Sequence, residues 1–294
     1  MAQIEVENLT KVFNGFRALD GISLVVERGE IFGFLGPNGA GKTTTINCCL
    51  GLIKPTSGSV RIAGMDVEEK PVEVKEICGY LPENYGFYPN LTARQNLLYF
   101  SEFYANPKDN VDELLALVGL QDSADKKVGE FSRGMKQRLA LAQALINDPE
   151  VVFLDEPTNG LDPQGIADFR KIIRELNQKG KTFFFSSHIL SEVREVCSVV
   201  GIINRGRIVK VGKISELSGS MEVVVQTEPR ADESLLREFG EVEYDESRDV
   251  YVIKVESDCR VEISRTLFEH GFVVKELSLR EPSLEKIYLS MVGE

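Results

Sequence analysis

The stretch Gly36-Pro37-Asn38-Gly39-Ala40-Gly41-Lys42-Thr43-Thr44 constrains this chain more than any other. It fits G-x-x-x-x-G-K-[ST], a pattern that carries its chemistry only between a strand and a helix. Both are legible here: Ile31-Phe32-Gly33-Phe34-Leu35 reads as a buried apolar strand, and Lys42 to Leu50 as a helix. The glycines let the backbone bend so that successive N–H groups converge on phosphate oxygens, and the helix start adds its partial positive charge. In such a loop Lys42 reaches the β- and γ-phosphates, and the Thr43 hydroxyl holds Mg²⁺. The expectation is a nucleoside triphosphate bound on an α/β fold.

The flanking sequence extends that frame. Ile4 to Leu9 and Gly21 to Val26 read as short strands joined by Lys11-Val12-Phe13-Asn14-Gly15. Pro55-Thr56-Ser57-Gly58 is a turn signal before a strand from Ser59 to Ile62. A helix over Lys70 to Ile77 runs on into Cys78-Gly79-Tyr80-Leu81-Pro82. Between about 84 and 147, apolar residues recur at helical spacing, which predicts a helical insert. Strands return at Val151–Leu154, Thr182–Phe185 and Val199–Ile203, with helices over Pro163–Gln178 and Ile189–Cys197 between them. Past a Ser/Gly-rich join at 215–220 the pattern predicts strand 221–227, helix 232–239, strands 241–244 and 250–255, helix 261–270 and strand 273–279. That β-α-β-β-α-β order is the one of a ferredoxin-like unit. A last helix, Ser283 to Val292, carries an apolar stripe that needs a surface to dock on.

Two further stretches bear on chemistry. Val151-Val152-Phe153-Leu154-Asp155-Glu156 is an apolar strand delivering two acids at its end. Asp155 is placed to hold Mg²⁺ with Thr43, and Glu156 to orient and deprotonate a water attacking the γ-phosphate. Phe131-Ser132-Arg133-Gly134-Met135-Lys136-Gln137-Arg138 opens a helix with Ser132 as N-cap, leaving N–H groups free at a second anion-attracting end.

Together these residues resemble the ATP-binding subunit of an ABC transporter, continuously from about Ile4 to Val211. Gly36 to Thr43 is similar to the family's Walker A motif, Val151 to Glu156 to Walker B, and Ser132 to Arg138 to the signature. Gly160-Leu161-Asp162 resembles the D-loop, His188 the switch histidine, and Phe13 the aromatic that stacks on adenine. The resemblance implies ATP and Mg²⁺ as cofactors. Lys42, Glu156 and His188 would be the catalytic residues. Phe13, Gly36 to Thr44, Ser132, Gly134 and Asp162 would bind the nucleotide, and Thr43, Asp155 and Glu83 would face the metal. The implied fold is a P-loop NTPase core with an antiparallel β subdomain and the helical insert, over residues 1–215. A small C-terminal α+β domain over 220–294 is expected to regulate or to stabilise a dimer.

Two motifs depart from the family pattern. The signature reads Phe-Ser-Arg-Gly-Met instead of Leu-Ser-Gly-Gly-Gln, so Arg133 and Met135 are replacements, while Ser132 and Gly134 remain. Glu83 stands where the family has a glutamine. Residues Gly79 to Thr92 resemble the branch serving export-type (ABC-2-like) permeases. The implied partners are a separate permease subunit and a second ATPase subunit, a homodimer being the expected pairing. The implied location is the cytoplasm, peripheral on the inner face of the cell membrane.

Composition sets the remaining bounds. No apolar run reaches the roughly 18 residues of a membrane span, and Met-Ala-Gln-Ile-Glu lacks the features of a signal peptide. The net charge of −12 repels phosphate backbones, which argues against nucleic acid as the main partner. The five cysteines show no C-x-x-C or metal-ligand spacing and read as reduced core residues. The aromatic loop Tyr80, Tyr85, Phe87, Tyr88 reads as a surface for a permease element. Two other readings stay open at this level: an ABC-type ATPase with a non-transport role, and a nucleotide-dependent regulatory module with little turnover.

Overall fold

The computed structural model describes residues 2–104, 111–217, 221–255 and 257–280. The chain divides into two compact units, 1–214 and 215–294, each with its own core.

The first unit opens with a long hairpin, β1 (Ala2–Phe13) and β2 (Phe16–Glu27). Asn14 (φ 46°) and Gly15 (φ 85°) form its turn, two positive-φ positions that suit an Asn-Gly pair. β2 alternates cleanly, with Ile22, Leu24 and Val26 inward. Then come β3 (Ile31–Leu35), α1 (Lys42–Cys49), β4 (Ser57–Ile62), β5 (Met65–Asp66), α2 (Pro71–Glu76) and β6 (Cys78–Leu81). The helical insert holds α3 (Ala93–Ser101), α4 (Val111–Leu117) and α5 (Arg133–Ala144). The unit continues through β7 (Val151–Asp155), α6 (Pro163–Gln178), β8 (Thr182–Ser187), α7 (Leu190–Val196), β9 (Val199–Asn204) and β10 (Arg207–Lys213).

Two sheets result. One is antiparallel, in the order β2-β1-β4-β5. The other runs β10-β9-β3-β8-β7-β6, parallel except for the edge strand β10. β3, β7 and β8 are buried along their whole length, which is why they read as unbroken apolar runs. Phe32, Phe34 and Phe153 stack around Phe184 at ring separations of 5.1 to 5.6 Å. α6 starts on the Asp162 N-cap and Pro163, and buries Phe169, Ile172, Ile173 and Leu176 at i, i+3, i+4 and i+7. Because β8 lies between β3 and β7, the ends of these three strands emerge side by side.

After α8 (Ile214–Leu217), the second unit contains β11 (Met221–Glu228), α9 (Glu233–Leu236), β12 (Glu241–Asp245), β13 (Val250–Val255), α10 (Arg260–Glu269) and β14 (Val273–Arg280). Its antiparallel sheet has the order β12-β13-β11-β14. Val223, Val225, Leu236, Tyr251, Ile263 and Leu267 pack at its centre. The helix expected from Ser283 to Val292 lies outside the described residues.

Several elements differ from expectation. β1 and β2 are longer, since Lys11 to Phe13 stay extended up to the turn, and Ser57-Gly58 belong to β4. β6 is an unexpected strand, paired in parallel with β7. α9 is a single turn from Glu233 to Leu236, where a helix to Phe239 is expected.

Candidate active site

The loop after β3 is shaped by contacts that exclude side chains. A Cβ on Gly36 would collide with the Ile203 carbonyl. Gly41 (φ 111°) lies within 2.9 Å of Leu19 and the Ala18 carbonyl by the same measure, so only glycine fits. The loop is fastened by Gly36 N–H to the Ser187 carbonyl (3.2 Å) and Gly206 N–H to the Ala40 carbonyl (2.9 Å). The first hydrogen bond of α1 is Thr45 N–H to the Gly41 carbonyl. The N–H groups of Lys42, Thr43 and Thr44 therefore stand ahead of the ladder, as a phosphate requires.

Lys42 is buried and donates to the carbonyls of Gly36 (2.7 Å) and Pro37 (3.1 Å). Its ammonium also lies 3.1 Å from Glu156 Oε1. The other oxygen of Glu156 is 2.8 Å from His188 Nδ1. Glu156 has φ 49°, a left-handed conformation rare for a side chain of its size, at the turn leaving β7. Asp155 beside it is fully buried. Burial raises its carboxyl above the ordinary value; bonds from Ser186 and Thr43 pull the other way. Its Oδ2 has no hydrogen-bond partner, a costly arrangement for a buried carboxylate. Thr43 and this open oxygen form a donor pair of hard oxygens that suits Mg²⁺, which commonly takes one or two protein ligands and completes its shell with phosphate and water.

Lys42, Thr43, Glu156 and His188 line one cleft of about 480 Å³ with Phe13, Phe16, Glu83 and Asn159. Glu83 is an exposed residue at the rim. Burial, then Asp155 and Glu83, push the Tyr80 phenol up, which places both carboxylates near one ring. Of the sequence-predicted residues, Phe13, Asn38, Gly39, Gly41, Lys42, Thr43, Thr44, Glu83, Glu156 and His188 thus share a cleft, with Asp155 beneath. Gly36, Pro37 and Ala40 shape the loop from behind through the bonds above.

Ser132, Gly134 and Asp162 are elsewhere on the unit. They line a second groove of about 410 Å³ with Arg133, Gly160 and Leu161, and it shares no lining residue with the first. Ser132 Oγ accepts from Met135 N–H (3.2 Å), and Asp162 Oδ1 from Gly165 N–H (2.8 Å), so both act as N-caps. The Arg133 guanidinium lies over Gly160, whose φ of 75° favours glycine.

Phe16 and Asn159 were not anticipated. The signal for Phe16 was present: an Asn-Gly turn of two residues pairs Phe13 with Phe16 across the hairpin. Asn159 carried none, because its place depends on the backbone leaving β7.

The family model described as "ABC transporter" matches residues 19–159. The chain is 39% identical to the bacitracin transport ATP-binding protein BcrA of Bacillus licheniformis, over 99% of this chain and 97% of that protein. It is 31% identical to the linearmycin resistance ATP-binding protein LnrL of Bacillus subtilis (strain 168), over 99% of this chain and 98% of that one. Among solved structures, it resembles the dimeric post-hydrolysis state of the ATP-binding cassette MJ0796 bound to ADP and Pi. The TM-score is 0.65 and the identity 26%, covering 72% of this chain and 98% of that one.

Proposed function

This chain belongs to the ATP-binding subunits of ABC transporters, and from that premise we propose that it hydrolyses ATP as one half of a head-to-tail pair of like subunits. It is an ATPase motor subunit of an exporter. Among the described residues no helix is long and apolar enough to cross a membrane. In this reading the export path belongs to a separate permease, on whose cytoplasmic face the pair works.

One observation carries the pairing: the cleft with Lys42 and the groove with Ser132 are separate surfaces of one unit. A single copy offers each nucleotide the phosphate loop but not the α5 end. A second copy, reversed, supplies Ser132 and Gly134 to the same γ-phosphate, so that two partial anion sites converge on one charge. Phe13 and Phe16 flank the base; Lys42 and the N–H groups at the start of α1 hold the phosphates. Thr43 and Asp155 would hold Mg²⁺, which would supply positive charge to offset that of the phosphates.

Glu156 carries the chemistry. As the phosphates take over the Lys42 ammonium, Glu156 Oε1 is released to accept a proton from the attacking water. The new bond forms between that water oxygen and the γ-phosphorus; the bond to the bridging oxygen breaks, and ADP leaves. His188, on Oε2, keeps the carboxylate turned to the water. Loss of the γ-phosphate removes the contact across the pair, which opens and drives the permease.

The test is oligomeric state by light scattering for wild type and Glu156→Gln, with and without Mg·ATP. The variant is expected to dimerise only with Mg·ATP, while wild type turns over and stays mostly monomeric. A variant that binds ATP yet never self-associates would overturn the homodimer in favour of a related partner subunit or a pairing enforced by the permease.

A further inference from the structure

β8 ends in two adjacent hydroxyls, Ser186 and Ser187, after the run Phe183-Phe184-Phe185. Both are fully buried, between the strands that carry the phosphate loop and the acidic pair. A strand core has no packing need for two hydroxyls, and buried ones persist only when bonded. Successive residues of a strand face opposite sides, so the two serve different neighbours.

Ser186 Oγ accepts the N–H of Glu156 (3.0 Å) and donates to Asp155 Oδ1 (2.7 Å). The first bond holds the left-handed backbone that turns Glu156 into the cleft. The second occupies one oxygen of Asp155 and leaves Oδ2 as the open one. Ser187 Oγ donates to Glu192 Oε2 (2.8 Å) and accepts the N–H of Ile189 (2.9 Å), while the Ser187 carbonyl accepts Gly36 N–H. Glu192, in the first turn of α7, is itself buried. His188 is thus held between two bonded neighbours, on the turn that also fastens the phosphate loop.

We infer that Ser186 and Ser187 are positioning residues for hydrolysis. The Ser186 hydroxyl sets the direction of Asp155 and Glu156, and Glu192, acting through Ser187, sets His188. The inference rests on the reading of Asp155 as metal ligand and Glu156 as base, and it assigns the strand between the two motifs the task of aligning them.

The experiment measures Mg²⁺-dependent ATPase kinetics and Mg²⁺-free ATP binding on the full chain, for Ser186→Ala, Ser186→Thr, Glu192→Ala and Glu192→Gln, beside Glu156→Gln. Ser186→Ala is expected to lower kcat about 10–100-fold, the usual cost of losing a residue that orients a ligand. It should also raise the Mg²⁺ concentration for half-maximal rate, while KM and Mg²⁺-free ATP binding stay near wild type. Ser186→Thr keeps the hydroxyl and is expected to recover most of the rate. Glu192→Gln keeps an acceptor for Ser187 and should outperform Glu192→Ala. A Ser186→Ala protein with wild-type kcat and Mg²⁺ dependence, beside an inactive Glu156→Gln, would overturn the role of the serine alone. Equal loss in the Ala and Thr variants, with ATP binding lost in step, would reduce the serine to packing. Turnover by Glu156→Gln at the wild-type rate would instead overturn the base assignment.

Discussion

At the scale of single residues, the site is a balance of one buried ammonium against two buried carboxylates. The Asp155 carboxyl is raised above its ordinary 3.8 by burial, so the folded protein holds that proton more tightly than the unfolded chain does. The group's contribution is therefore most favourable at low pH and is lost as pH rises through the raised value. At neutral pH the ionised form weakens the fold. Asp155→Asn is expected to raise Tm by a small amount at pH 7.5, when measured without nucleotide or Mg²⁺. The advantage should shrink as the pH is lowered toward 4, and the same variant should lose ATPase activity. A lower Tm at pH 7.5 would contradict this account. Lys42, Asp155, Glu156 and His188 were legible because each sits at a fixed place in a motif. Ser186 and Phe16 were not, because their roles come from a neighbouring strand and from a hairpin register.

At the scale of elements, periodicity and punctuation found most of the fold. α6 was bounded to the residue by Asp162, Pro163 and the stripe from Phe169 to Leu176. β6 was missed because its four residues include Gly79 and carry no alternation. The structure explains that glycine: a Cβ there would strike the Ala144 carbonyl at the end of α5. α9 stops at Leu236, although Phe239 beyond it still packs on the core of the second unit. Asp162 belongs to this scale as the N-cap of α6. Asp162→Ala should cost about 1 kcal/mol of stability in a denaturant titration, and Asp162→Ser should regain most of it. If ATPase activity returns with the serine, the residue acts through the helix start. If activity stays low in a stable Ser variant, the carboxylate itself works in the paired site.

At the scale of the molecule, two cores imply two unfolding events. Leu236 is fully buried among the side chains of the second unit, and Leu236→Ala should cost about 2–5 kcal/mol there. Calorimetry is expected to show that this variant lowers one transition, while Mg·ATP raises only the other. One transition moved by both would mean that the units melt together.

The separateness of cleft and groove also governs inheritance and dosage. A catalyst complete within one chain loses output in proportion to the copies that fail. In the pairing proposed above, a copy with a failed cleft retains a sound groove and can still recruit an intact partner. When intact and failed copies are made in equal amounts, mixed pairs form about twice as often as intact ones if association is random. If one opening of the permease needs both clefts of a pair, every mixed pair is idle, and a defective allele would be dominant over its intact counterpart.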